Sequence, residues 1–264
     1  MQAPAYVAGH GLLKGKSVLI TAAAGKGIGF AAAKRAIEEG ARALVVSDIH
    51  EGRVNATVDT LRALAADLGT GAGITGKLCN VTREEDVQAL VAYAEEALGG
   101  TDILINNAGL GGERPVVEMT DTEWLTVLDV TLNGTFRMTR AMLQVMQPRK
   151  AGVIVNNASV LGWRAQKGQA HYAAAKAGVM ALTRCAGLEA AEFGIRVNAV
   201  SPSIAMHEFL AKSAPPELLA QLAGREAFGR AAEVWEVANV MMFLASDYAS
   251  YMVGEVVSVS SQHA

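Results

Sequence analysis

The sequence contains no unbroken apolar run approaching the roughly 20 residues that a membrane span requires, although 51% of its residues are hydrophobic. No membrane partner is therefore expected. Its first residues, MQAPAYVAGHGLLKGK, lack the cationic stretch and sustained apolar core of a leader, and a cytoplasmic location is expected. Neither sign of charge dominates, because 23 Lys plus Arg stand against 26 Asp plus Glu. Such a balance supplies no field to draw the chain to nucleic acid or an anionic bilayer, which leaves a small molecule as the expected partner. Cysteine is scarce. Cys79 and Cys185 lie in strand-like and helix-like segments without metal-ligand spacing; both read as buried small hydrophobes, and no metal is expected. Linkers, repeats and low-complexity tracts are also missing, so residues 1–264 read as a single domain.

What is present is a rhythm. SVLIT, ALVVSD, ITGKLCNV, DILINNAG, GVIVNNAS, IRVNAVS and EVVSVS are apolar, β-branched runs separated by helix-length segments. Strands apolar at nearly every position are buried on both faces, which requires helices above and below a mostly parallel sheet. The expected fold is α/β: a Rossmann-type, doubly wound, seven-stranded parallel sheet. One stretch, residues 202–229, breaks the rhythm and reads as a substrate-covering loop with a short helix, a tolerated surface insertion being the alternative.

The first strand leads into Thr21-Ala-Ala-Ala-Gly25-Lys26-Gly27-Ile28-Gly29 and then an amphipathic helix ending at Gly40. Glycines let backbone approach a pyrophosphate, and the positive end of the following helix stabilises its charge. A glycine triplet alone is weak, since glycine also serves tight turns. The second strand, however, ends in Asp48, 19 residues after Gly29, close to the spacing of about 20 for an acid bonding ribose hydroxyls. Such an acid repels a 2′-phosphate and Ile49 offers no cation to offset it, so NAD is expected over NADP. Lys26, inside the turn, is the dissenting residue.

Tyr172 and Lys176 are four residues apart in a helical segment and share one face. Such a pair is ordinarily surface decoration. Ser159 changes the weighting because it ends a buried strand 13 residues before Tyr172, and strand ends are where such sheets place ligands. A phenol ionises near pH 10, and a neighbouring ammonium lowers that value. A hydroxyl such as Ser159 can orient a substrate alcohol and stabilise charge developing on its oxygen.

The glycine turn, Asn106 to Gly109 after the fourth strand, the Ser159, Tyr172 and Lys176 set, and Asn198 to Pro202 after the sixth strand together resemble the classical short-chain dehydrogenase/reductase family. The resemblance runs from about Lys14 to Val259. It implies an oxidoreductase in which Tyr172 is the acid/base, Lys176 bonds the nicotinamide ribose and tunes the tyrosine, and Ser159 holds the substrate oxygen. It further implies cofactor contacts at Asn80, Val81, Asn107, Ala108, Gly109 and Pro202, and a homotetramer, to which the apolar helices spanning Trp124–Met142 and Tyr172–Glu192 are suited.

The chain departs from the family pattern in several places. Its glycine turn is one residue longer than the common form, and Ala22 replaces a glycine. Asn80 replaces an Asp near the adenine, where its amide oxygen is expected to accept a hydrogen bond from the adenine amine. Thr131 stands where the family has a helix asparagine, with Asn133 two residues on and facing elsewhere; a structural threonine is the expected reading. His207 occupies the place of a threonine and becomes a candidate substrate residue, a helix cap or surface group being the bland alternative.

The segment between Ser159 and Tyr172 offers Trp163 as an apolar wall and Arg164 and Lys167 as cations, with Arg114 and Lys212 expected from neighbouring loops. Cations around an apolar cleft suit a hydrophobic substrate bearing a carboxylate or phosphates, as an acyl-CoA does; solubilising charge is the alternative. NNASVLGWRAQ, NAVSPSIA and ASDYASYMVGEVVSVS are similar to loops of an actinobacterial subgroup of the family that acts in steroid ring breakdown. That likeness implies oxidation of a hydroxyl on a hydroindanone-propanoyl-CoA type of substrate with NAD. Two other readings remain: NADPH-dependent reduction of a ketone or 3-oxoacyl group, and a catalytically silent nucleotide-binding scaffold.

Overall fold

The computed structural model describes residues 2–207, 210–211 and 216–261. Strand β1 (Ser17–Ile20) is followed by α1 (Ile28–Glu38), β2 (Ala43–Asp48), α2 (Glu51–Asp67), β3 (Gly73–Leu78), α3 (Glu84–Leu98) and β4 (Ile103–Asn106). The second half runs through α4 (Asp121–Leu128), α5 (Gly134–Met146), β5 (Gly152–Asn157), α6 (Ala170–Ala191) and β6 (Ile195–Pro202). It then continues with β7 (Ala205–Met206), α7 (Pro216–Gly224), β8 (Ala232–Glu233), α8 (Val234–Ala245) and β9 (Val256–Val259).

Seven strands form one sheet in the order β3-β2-β1-β4-β5-β6-β9, every pairing parallel. The expected doubly wound fold is therefore present, with each expected apolar run supplying one strand. The chain reverses its direction of travel across the sheet between β1 and β4, and ligands of such sheets bind in the crevice where strand order reverses. One departure is small: the run expected to extend to Val81 ends at Leu78, where Cys79 begins the loop into α3.

Residues of α1, α2 and α8 bury their apolar stripes on one face, including Ala32, Ile37, Val58, Leu61 and Met241. Residues of α3, α5 and α6 cover the other, including Leu90, Ala94, Met138, Met142 and Ala190. Both faces of β1, β2 and β4 are consequently dry, which is why those strands read as continuous apolar runs rather than alternating ones. Cys79 sits in this core, and burial pushes its thiol up to about 12. Cys185 does not: it lies on the outer side of α6 and is exposed, correcting the expectation that both are buried.

Composition did not foretell how the N-terminal segment is held. Arg35, in the last turn of α1, and Glu39, the residue just past its end, pair at 2.7 Å with both side chains almost wholly buried. The arginine donates to the carbonyls of Val7 and Ala8, while Glu39 accepts from the amides of His10 and Leu12. The pair thus straps residues 7–12 across α1, every charge-bearing atom finding a partner as burial demands.

Candidate active site

The nucleotide end is built from backbone. Thr21, just past β1, accepts at its hydroxyl from the amides of Asn107 (3.0 Å) and Ala108 (3.1 Å), tying the glycine turn to the loop after β4 across the switch point. Asn107 donates to the Ala22 carbonyl at 2.9 Å. A Cβ on Gly29 would meet that carbonyl at 2.4 Å and the Asn107 amide nitrogen at 2.5 Å, so only glycine fits there. Ala22 itself has φ of +49°, a left-handed conformation that glycine normally supplies. The turn therefore keeps its shape although one of its glycines is replaced.

Above this turn the structure fits a dinucleotide. Gly25 has φ of +105°, and a Cβ on Gly25 or Gly27 would meet nothing within 4 Å. Gly27 begins α1 with no side-chain cap, and no acidic residue occupies the first helical turn. Its amides and the helix dipole are thus left for an anion such as pyrophosphate. Ile28 packs into the core beneath the turn. Lys26 is exposed on the turn.

Asp48 ends β2 and is almost fully buried. The expectation that no cation attends it is corrected: Arg53, in the first turns of α2, lies 3.2 Å from its carboxylate. Burial still raises the Asp48 pKa, with Arg53 opposing. Asn80 also differs from expectation. Its amide oxygen already accepts from the Thr82 amide (3.1 Å) and hydroxyl (2.9 Å), filling both lone pairs. The side chain therefore turns its NH2 donor, not its oxygen, to any further partner. Val81 is buried against Gly134 of α5, and Pro202 closes β6 opposite Val259.

The catalytic candidates converge as predicted. Ser159 stands two residues past the end of β5 and is buried, with its hydroxyl accepting from the Leu161 amide at 3.2 Å. It also hydrogen-bonds Tyr172. Lys176, one helical turn beyond Tyr172 on α6, places its ammonium 5.5 Å from the tyrosine ring centre and donates to the Asn157 carbonyl. Burial lowers the Lys176 pKa to about 8, so the group keeps its charge at neutral pH. Tyr172, in contrast to expectation, is raised: burial of its hydroxyl outweighs the Ser159 hydrogen bond that lowers it. In the protein by itself the phenol is protonated, ready to give a proton to a carbonyl oxygen.

Thr131 is buried in a π-helical turn, residues 129–133, between α4 and α5. Its hydroxyl accepts from the Leu110 amide at 2.9 Å and donates to the Leu110 carbonyl at 3.0 Å. This double clasp holds the Gly109 loop against Lys176: a Cβ on Gly109 would lie 3.4 Å from the Lys176 ammonium. The structural reading of Thr131 stands, and Asn133 faces solvent, bonded to Asp129.

Trp163, Arg164 and Lys167 line a cleft of about 760 Å³ together with Val116 and Val117. The cleft adjoins the catalytic group through the 161–168 loop, although Ser159 and Tyr172 do not line it. Arg114 is drawn off to Glu123 at 3.0 Å. His207 accepts at Nδ1 from the Leu210 amide at 3.3 Å, the capping role, and burial lowers its pKa. Lys212 lies outside the described residues. Among the described residues there is no metal-binding cluster and no helix long and apolar enough to cross a membrane.

Residues 22–261 match the family described as Enoyl-(Acyl carrier protein) reductase. The (5R,7aS)-5-hydroxy-7a-methyl-1-oxo-2,3,5,6,7,7a-hexahydro-1H-indene-carboxyl-CoA reductase of Mycobacterium tuberculosis is 59% identical over 262 residues, 99% of this chain and 98% of that protein. The cis-4-hydroxycyclohexanecarboxylate dehydrogenase of Sinomonas cyclohexanicum is 38% identical over 92% of this chain and 94% of its own. A short chain dehydrogenase from Mycobacterium smegmatis superposes with a TM-score of 0.87 at 57% identity, covering 100% of this chain and 99% of the other. With the sheet order, the glycine turn and the serine, tyrosine and lysine in place, the chain belongs to the short-chain dehydrogenase/reductase family, oxidoreductases that use a nicotinamide cofactor.

Proposed function

We propose that the protein interconverts a secondary alcohol and a ketone on a CoA-linked, hydrophobic ring substrate of the hydroindane-carboxyl type, using NAD. The observation that carries the chemistry is the meeting of Ser159, Tyr172 and Lys176 at the sheet mouth. The substrate class rests on the 59% identity to the mycobacterial CoA-ester enzyme and on a cleft combining Trp163 with Arg164 and Lys167, which suits an apolar ring tethered to phosphates.

In the oxidising direction, which we favour, Ser159 holds the alcohol oxygen and Tyr172 takes the hydroxyl proton as a phenolate, a form that the free protein disfavours by burial and that the nearby Lys176 ammonium stabilises. A nicotinamide bound above the glycine turn would supply the acceptor for the hydride of the carbinol carbon. Asp48, at the end of β2, supports NAD because a carboxylate there would repel a 2′-phosphate.

A second reading, ketone reduction with NADPH, is favoured by Arg53 beside Asp48, by Lys26, and by the protonated state of Tyr172. Titration calorimetry with NADH and NADPH separates the two, and turnover of hydroxy-ring acyl-CoA against the free acid tests the substrate. Tight NADH binding and CoA-dependent NADH formation are expected. Preference for NADPH, or equal turnover of the free acid, overturns the corresponding part. Acyl-CoA and nicotinamide pools of the cytoplasm are its expected setting. Trp124, Leu125, Phe136 and Leu188 are exposed apolar residues of α4, α5 and α6 that support a homotetramer; light scattering showing only a 27.5 kDa species contradicts it.

A further inference from the structure

At the ends of β4 and β5 two asparagine pairs lie side by side, one on each face of the sheet. Asn106 donates to Asn156 (2.9 Å) and Thr139 (3.1 Å), and Asn156 donates to Thr183 at 2.9 Å. This inner ladder is enclosed beneath α5 and α6. Successive strand residues point to opposite faces, so Asn157 points the other way, towards the glycine turn. It donates through Nδ2 to Asn107 Oδ1 at 3.0 Å, and Asn107 in turn donates to the Ala22 carbonyl. The Asn157 backbone carbonyl accepts the Lys176 ammonium. Its side-chain oxygen Oδ1 is buried and has no hydrogen-bond partner in the protein.

An amide oxygen cut off from water without a donor is uncommon, because its desolvation is not repaid. This one lies between the glycine turn, which fits a dinucleotide, and the lysine of the catalytic group. Its other amide atom is fixed by Asn107, so the orientation of the oxygen is set rather than free to flip. We propose that Asn157 is a further cofactor-positioning residue, its Oδ1 accepting a hydrogen bond from the nicotinamide-riboside half of the bound dinucleotide. That half offers two kinds of donor, the ribose hydroxyls and the carboxamide NH2. The proposal rests on the nucleotide reading of the site and adds a residue that reading does not use. It also gives the Asn107 side chain a purpose: by holding Asn157 Nδ2 it aims the neighbouring oxygen.

The test is calorimetric binding of NADH, ADP-ribose and ADP to the wild type, to Asn157→Leu, which keeps the side-chain size without the acceptor, and to Asn157→Ala. The expected result is a Kd for NADH raised about five- to tenfold in both variants, the loss of one hydrogen bond, with the Kd for ADP held within about twofold. ADP-ribose following NADH would assign the donor to the ribose; ADP-ribose following ADP would assign it to the carboxamide. Unchanged NADH binding, the outcome if a buried water satisfies the oxygen, overturns the proposal. Equal weakening for NADH and ADP, or failure of both variants to fold, also overturns it, marking Asn157 as a structural clamp. A wild type that binds neither NADH nor ADP would instead overturn the nucleotide reading itself.

Discussion

The glycine turn and the catalytic group solve recognition differently. Around the turn, from Thr21 to Gly29, contacts are made by backbone and by absent side chains: open space at Gly25 and Gly27, uncapped amides at the start of α1, and a carbonyl held by Asn107. A residue can be exchanged there if the backbone is still forced into shape, as Ala22 is at φ +49°. Around Ser159, Tyr172 and Lys176 the chemistry resides in particular side-chain atoms whose protonation is set by burial. Backbone recognition tolerates substitution up to the point of steric conflict, whereas side-chain catalysis tolerates none at the reacting atom.

The sharpest way to separate the two is Tyr172→Phe. Removing the acid/base is expected to lower kcat about a hundred- to ten-thousandfold while the Kd for NADH, measured by calorimetry, stays within about twofold. Retained turnover would break the comparison at its catalytic side. Gly29→Ala attacks the other side. Its new Cβ must displace the Ala22 carbonyl and the Asn107 amide, at a cost of about 1–3 kcal/mol read by urea unfolding, together with weaker NADH binding.

Lys176→Met probes how burial tunes the catalytic group. The ammonium pKa is lowered from 10.5 to about 8, so between those values the unfolded chain binds more protons than the folded one. Stability of the wild type is thus expected to rise with pH from about 8 to 10, relative to the variant, by at most about 3 kcal/mol. Above pH 10 the raised Tyr172 pKa acts in the opposite sense, since the folded state then holds the extra proton. Parallel urea titrations across that window check the sign. The smallest effect is expected for Ala22→Gly: relief of the left-handed alanine minus the added chain entropy leaves up to about 1 kcal/mol of stabilisation, seen as a modest rise in Tm with unchanged NADH affinity. A fall in Tm would show that the alanine is not strained.

Much of this was legible in the chain itself. Buried parallel strands are uniformly apolar, so seven runs such as ALVVSD and GVIVNNAS announced seven strands. A helical four-residue spacing after a strand-ending serine announced the catalytic group, because local periodicity fixes which side chains share a face. What stayed hidden depends on the path the backbone takes, even between residues close in sequence. Arg53 reaches Asp48 only because α2 turns back over the end of β2, and Asn80 is committed to Thr82 by a local turn that composition does not reveal. The direction of the Tyr172 shift depended on burial outweighing the Ser159 hydrogen bond, a contest that spacing cannot weigh.

The sequence by itself therefore determined the sheet, its two helical layers and the candidates for the reacting side chains, since these follow from hydrophobic period and from motif order along one chain. Only the tertiary structure decided that Thr131 clasps Leu110, that Arg35 and Glu39 strap the N-terminal segment, and that Asn157 keeps a buried oxygen without a partner. Each of those is a matter of which polar atom finds a partner after folding, and hydrogen-bond satisfaction is settled in three dimensions.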